Sequence, residues 1–172
     1  MTGELIITTK RLLISPLQIT DANFIYELVN TDGWLRFIGD RNIRSTVDAA
    51  EYIRNILGNE NISYWVVRLK TGRQPIGVIT YIKRSYLEHH DIGFAFLPAY
   101  GKKGYAFEAT NDVLNKLVQR HNLTHILATT VPENTSSINL LNKMGLVFET
   151  EINVGNTILH VYGRMLIHSL EG

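Results

Sequence analysis

Asp91-Ile92-Gly93-Phe94-Ala95-Phe96-Leu97-Pro98-Ala99-Tyr100-Gly101-Lys102-Lys103-Gly104-Tyr105-Ala106-Phe107-Glu108-Ala109 runs from an apolar strand, past a proline stop and a glycine- and lysine-rich turn, into a helix. Asp91 to Leu97 reads as the strand and Pro98 ends it. The helix continues to about His121, with Ala106, Ala109, Val113, Leu117 and Val118 at the spacing of one buried face. A helix N-terminus leaves N–H groups unpaired and carries about half a positive charge. Glycine lets the backbone approach an anion closely, and lysine adds charge. Gly101-Lys102-Lys103-Gly104-Tyr105-Ala106 is therefore suited to a pyrophosphate. A glycine-rich turn with solvated lysines is the plainer account of the same residues. The spacing matches neither the Walker loop nor the G-x-G-x-x-G dinucleotide fingerprint.

Downstream, Thr124 to Val131 reads as a strand. Glu133-Asn134-Thr135 opens a helix to Met144, stopped by Gly145. Asn134-Thr135-Ser136-Ser137 thus sits where a strand ends and a helix starts. Two such junctions predict a crevice at the carboxyl ends of parallel strands. Leu146–Val154 and Thr157–Leu166 read as a closing hairpin turned at Gly155-Asn156. Upstream, Arg11–Leu17 reads as a strand stopped near Pro16. A helix follows from Thr20-Asp21 to about Asn30, then an aromatic-rich connection over Gly33–Gly39, then a helix from Thr46 to about Leu57. Tyr64–Leu69 and Pro75–Ile82 form a hairpin over Lys70-Thr71-Gly72-Arg73. The order β-α-α-β-β-β-α-β-α-β-β predicts an α/β (α+β) architecture. It has a mixed sheet, helices on both faces and one right-handed crossover between parallel strands.

The chain has 172 residues, with no linker or repeat, so one domain over 1–172 is expected. Its 17 Lys and Arg against 16 Asp and Glu give a net charge of +1, which argues against a nucleic-acid partner. Cysteine is absent, so disulfides, thiolate zinc sites and a cysteine nucleophile are excluded. Met1–Ile7 lacks a basic n-region, and no apolar run reaches membrane-spanning length. A cytoplasmic protein with no membrane partner is expected. His89 and His90 are adjacent, so on an extended chain they point apart, and no metal site is predicted.

The stretch from Asp91 to Ala109 resembles the acetyl-CoA signature of the GNAT N-acetyltransferases. The likeness is greatest to the branch of ribosomal-protein alanine and serine N-terminal acetyltransferases. Asn134 to Leu146, with Ser137, Lys143 and Gly145 in place, is similar to that branch's second motif. Thr9-Lys10-Arg11-Leu12 and Arg36-Phe37-Ile38-Gly39 resemble it too, so the likeness spans roughly residues 8–167. The resemblance implies a mostly antiparallel central sheet with a parallel pair splayed in the middle, and the pantetheine arm of acetyl-CoA in the gap. It implies main-chain contacts from Phe96 and Leu97 to the pantetheine. The N–H groups of Lys102, Lys103, Gly104, Tyr105 and Ala106 would hold the pyrophosphate. Asn134 would contact the pantetheine arm, and Lys143 would lie near the nucleotide phosphates. Trp34, Arg36 and Phe37 would form the acceptor wall. Two departures stand out. Gly101 replaces the Arg, Gln or Trp of relatives, and Leu141 replaces a tyrosine that serves many of them as general acid.

The reaction implied is direct acyl transfer from the thioester to a primary amine through a ternary complex. A protein N-terminus, an amino acid, a polyamine or an aminoglycoside could be the acceptor. The near-neutral net charge disfavours the last two. A protein α-amine has a pKa near 8 against 10.4 for lysine, so it needs little base. A main-chain N–H at Phe96 or Leu97 would stabilise the oxyanion. Ser137 would protonate the departing thiolate. For the base, Asp91 begins the central strand and lies far from the thioester. Glu149, Glu151, His160 and Tyr162 stay open, and Tyr162 is the choice carried forward. Glu108 is expected to complement the helix dipole. A non-catalytic acyl-CoA-binding module is the alternative. The closing hairpin could also pair across a homodimer.

Overall fold

The computed structural model describes residues 4–166. Strands β1 (Ile7–Thr8) and β2 (Leu12–Pro16) lead into helices α1 (Ala22–Val29), α2 (Asp32–Phe37) and α3 (Thr46–Leu57). Then come β3 (Ile62–Leu69), β4 (Pro75–Ile82), β5 (Asp91–Phe96), α4 (Tyr105–His121), β6 (His125–Thr130), α5 (Thr135–Lys143), β7 (Val147–Val154) and β8 (Thr157–Met165). Two elements lie outside the sequence expectation. β1 is a two-residue pairing, Ile7 with Ile14 and Thr8 with Leu13, too short to leave a periodic signal. α2 forms where a connection was expected, because Thr31 caps it by accepting the Trp34 N–H at 3.4 Å.

The sheet order is β1-β2-β3-β4-β5-β6-β8-β7, and every pair is antiparallel except β5 with β6. Helices cover both faces. Along β3 and β4, successive side chains alternate between them, as the two-residue strand period requires. Trp65, Val67 and Ile79 pack with Ala109, Val113, Leu114 and Leu117 of α4 and with Leu141 and Met144 around α5. Val66 and Val78 pack with Ile25, Leu28 and Val29 of α1 and with Ala49 and Ile53 of α3. Each fully buried Leu or Ile contributes about 1.5–3 kcal/mol, so the two layers together hold the sheet between the helices. Asp21, before α1, and Arg68, in β3, form a shielded ion pair that fastens the first helix layer to the sheet.

The pairing of β5 differs from that of its neighbours. It matches β4 at six register positions, and β6 matches β8 at six. Between β5 and β6 there is one, Asp91 at the start of β5 with Leu127 in the middle of β6. Beyond it the strands diverge, which opens the sheet toward their carboxyl ends. Among the described residues, no helix is long and apolar enough to cross a membrane.

Candidate active site

The splay leaves main-chain groups of β5 without a strand partner. Leu97 donates its N–H to the Ile76 carbonyl at 2.8 Å, on the β4 side. The His90 carbonyl accepts the Leu127 N–H at 3.1 Å, on the β6 side. Alternation along the strand then turns the N–H and C=O of Phe94 and Phe96 toward β6, which has already moved away. Buried main-chain groups are almost always paired, so this edge suits a ligand that carries amides of its own. Leu97 is corrected on the same ground. Its N–H is taken by Ile76, and its carbonyl accepts the Tyr100 N–H at 3.0 Å. Its main chain is not free for a ligand; that of Phe96 is, and Phe94 joins it.

A cavity of about 420 Å³ runs along this edge. Phe96, Leu97, Lys102, Gly104, Tyr105 and Ala106 line one side of it, and Asn134, Ser137 and Lys143 line the other. At its mouth the chain enters α4 through Gly104, in the left-handed region at φ +80° with no capping side chain. The Glu108 N–H reaches the Gly104 carbonyl at 3.1 Å, so the N–H groups of the preceding turn are left for a ligand. The geometry fits an anion.

Long-range contacts hold this turn. Arg11 donates from Nε to Glu108 Oε2 at 2.7 Å and from Nη1 to the Lys103 carbonyl at 2.9 Å. Its guanidinium also lies 4.3 Å from the Tyr105 ring centroid. Thr9 donates its hydroxyl to Glu108 Oε1 at 2.6 Å. Burial works against the charge on Glu108, but the bonds from Thr9 and Arg11 outweigh it and hold the carboxyl below its ordinary range. Glu108 thus fastens the β1–β2 turn to the first turn of α4, a role beyond dipole complementation. Lys103 contributes its carbonyl to the clamp; its ammonium stands 5.8 Å from the Tyr100 ring and does not line the cavity. Lys143 Nζ lies 4.4 Å from the Phe107 ring centroid, at the cavity wall.

A second cavity, of about 260 Å³, lies toward the start of β5. Arg41, Tyr64, Thr80, Arg84, Tyr86 and Asp91 line it. The two cavities share Trp34, Phe37, Ile38, Phe94, Ala95, Asn134 and Ser137. At this shared wall, Asn134 Nδ2 donates to Ser137 Oγ at 3.0 Å, and the Ser137 N–H donates to Asn134 Oδ1 at 3.3 Å. Asp91 is buried with its Oδ2 accepting from Arg84 Nε at 2.7 Å, while Oδ1 has no partner. Burial pushes its carboxyl up, and Arg84 offsets this only in part.

Residues 11–147 match the family profile of the Acetyltransferase (GNAT) domain. The chain belongs to the GNAT acetyltransferase family. It is 32 % identical over 140 residues to the uncharacterised N-acetyltransferase YnaD of Bacillus subtilis, covering 81 % of each chain. A GNAT-family acetyltransferase from Bacillus anthracis shares 26 % identity, with a TM-score of 0.79 over 94 % of this chain and 98 % of that one. A ribosomal-protein alanine acetyltransferase from Vibrio fischeri, at 19 % identity, has the same fold, with a TM-score of 0.78 over 94 % and 96 %. As a GNAT enzyme the protein is an acetyl-CoA-dependent N-acetyltransferase. The open turn before α4, the amide-presenting edge of β5 and the larger cavity beside them fit that co-substrate.

Within this GNAT site, two expected residues, Tyr162 and Arg36, lie elsewhere. Tyr162 is 6 % exposed, packed in the core and edge-on to Phe148 at 5.9 Å, and it lines neither cavity. Pairing with Ala128 of β6 turns it under the helices rather than toward an acceptor. Arg36 is exposed on α2, with its guanidinium 4.9 Å from the Phe37 ring, and it also lines neither cavity; Trp34 lines both. Leu141 is 1 % exposed in the core, so its position carries no hydroxyl toward the co-substrate. The other carboxylates once open as bases are engaged on β7. Glu149 meets His125 at 2.8 Å, and Glu151 meets His160 at 3.1 Å. Sequence reading passed over Arg41, Tyr64, Arg84 and Tyr86, which have no motif around them.

Phe96 also yields a test. It faces Gly77 across β4 and β5, and a Cβ added to Gly77 would stand 2.7 Å from its Cε1. Gly77→Ala should push the ring toward the open cavity, lowering stability by about 1–3 kcal/mol and weakening acetyl-CoA binding. Thermal denaturation and calorimetric titration check this. An unchanged Tm together with unchanged affinity would show that the ring has room to give.

Proposed function

We propose that the enzyme moves the acetyl group directly from acetyl-CoA to the α-amine of an acceptor, such as a peptide N-terminus, inside a ternary complex. The observation that carries this reading is the wall of Phe94, Ala95, Asn134 and Ser137 common to both cavities. It brings two binding spaces into contact at one place. The chain has no cysteine to carry the acetyl group between two half-reactions. Acetyl-CoA supplies the activated acyl group and a thiolate leaving group. The N–H groups of Phe94 and Phe96 point into the gap and can donate to the thioester oxygen as it gains charge. The Ser137 hydroxyl, with its oxygen already accepting from Asn134, is left to donate its proton to the leaving sulfur.

An α-amine suits a site with no strong base at the point of transfer. At pH 7.5 roughly a quarter of such amines are neutral, against about one in a thousand lysine side chains. Asp91 stands three residues before Phe94, about 10 Å along the strand, so it can take a proton only through water. Acceptors differ among the enzymes that share this fold. The Vibrio fischeri protein is a ribosomal-protein alanine acetyltransferase, whereas a spermidine N-acetyltransferase from Vibrio cholerae, 20 % identical, has a TM-score of 0.76 over 91 % of this chain and 96 % of that one. Initial rates with both substrates varied test the proposal, with free thiol as the readout. Intersecting reciprocal plots and acetylation of peptide α-amines are expected. Parallel plots would overturn direct transfer, and faster turnover of spermidine than of any α-amine would overturn the acceptor assignment.

A further inference from the structure

The acceptor-side cavity has an unbalanced charge. Arg41, from the α2–α3 connection, and Arg84, from the β4–β5 connection, both line it, and Asp91 is its one carboxylate. Asp91 is already committed. Its side chain is 4 % exposed and bound to Arg84 Nε, which fixes the guanidinium from one edge. The terminal nitrogens of Arg84 make no hydrogen bond among the described residues, and its side chain is 35 % exposed toward the cavity. Arg41 is exposed and has no ion-pair partner among the described residues. Both charges reach Tyr64, which also lines the cavity and whose hydroxyl meets that of Tyr52 at 3.3 Å.

We propose that the acceptor is a primary amine carrying a carboxylate close to the amine, with the amine against the wall of Phe94 and Ser137 and the carboxylate on Arg41 and Arg84. This rests on the reading that the smaller cavity receives the acceptor. A guanidinium offers parallel N–H donors that match a carboxylate, and such charge-assisted bonds are the strong ones. A polyamine is excluded by the same charges. Its second ammonium would face two guanidinium groups, and the one carboxylate of the lining, Asp91, is buried and ion-paired to Arg84. The positive wall also lowers the pKa of a nearby ammonium, so the amine is held in the neutral form that attacks. A free amino acid offers this chemistry through its α-carboxylate, and a peptide offers it through an acidic residue next to its N-terminal one.

Matched acceptor pairs test the inference. Free serine is compared with serinamide, and a peptide starting Ser-Glu with one starting Ser-Gln. Each is read both as kcat/KM and as calorimetric affinity for the CoA-loaded protein. The carboxylate member of at least one pair should be preferred about tenfold or more, and the pair that shows it identifies the source. Arg41→Gln should reduce that preference to roughly threefold or less while acetyl-CoA affinity is retained. Equal binding and turnover within both pairs, or spermidine exceeding every carboxylate, would overturn the inference. A carboxylate preference in binding with no turnover of any amine would uphold it and overturn the transfer reading instead. Turnover without the preference would do the reverse.

Discussion

Gly104→Glu should bind acetyl-CoA at least roughly 100-fold more weakly than the wild type. Gly104 holds φ +80°, which side chains rarely adopt, and a Cβ there would stand 3.3 Å from Arg11 Nη2. The strain alone costs about 1 kcal/mol. The added carboxylate would share a small space with the pyrophosphate. Like charges about 5 Å apart repel by about 3 kcal/mol at an effective dielectric of 20. The new carboxylate would also compete for the N–H groups that open α4 and for Arg11. Gly104→Ala separates the two effects, because it carries the strain without the charge and should lose far less affinity. Calorimetric titration measures both variants, and thermal denaturation confirms that each is folded. Affinity of Gly104→Glu within threefold of the wild type would mean that the phosphates bind elsewhere.

Ser137→Ala should lower kcat by roughly ten- to hundredfold and leave acetyl-CoA affinity within about threefold. Ser137 lines both cavities, and Asn134 Nδ2 already donates to its Oγ at 3.0 Å. A hydroxyl oxygen that accepts one bond is a better donor for the next, so the proton is directed to whatever sits in the gap. Asn134 itself caps α5 through its Oδ1, and that role survives the loss of the serine hydroxyl. The helix therefore stays in place and the loss falls on the chemical step. Steady-state kinetics with separate measurement of binding checks the split. Tenfold weaker acetyl-CoA binding with kcat unchanged would make Ser137 a binding residue only.

Much of the architecture was legible because it depends on neighbours in the chain. The helix over Thr46–Leu57 and the strand over Pro75–Ile82 have the bounds that their apolar spacing and turn residues indicate. Gly104 and Asn134 were readable as helix starts because caps and glycine turns act within one turn of helix. β1 was not, since two residues have no period, and α2 was masked by the aromatic content of Gly33–Gly39.

The site divides along the same line. The amino-acid sequence by itself determined the glycine- and lysine-rich turn, the start of α4, the Asn134–Ser137 junction and the alternation of β5, all of them local. The tertiary structure alone decided which main-chain groups of β5 are free. Leu97 is spent because its register brings it to Ile76, and Phe96 is free because β6 leaves the ladder after Leu127. It alone decided that Arg11 meets Glu108, a contact 97 residues apart in the chain. It likewise turned Tyr162 into the core and brought Arg41 and Arg84 to one cavity. A strand's two-residue period shows which side chains share a face, but the partner strands choose which face is covered and which stays open to a ligand.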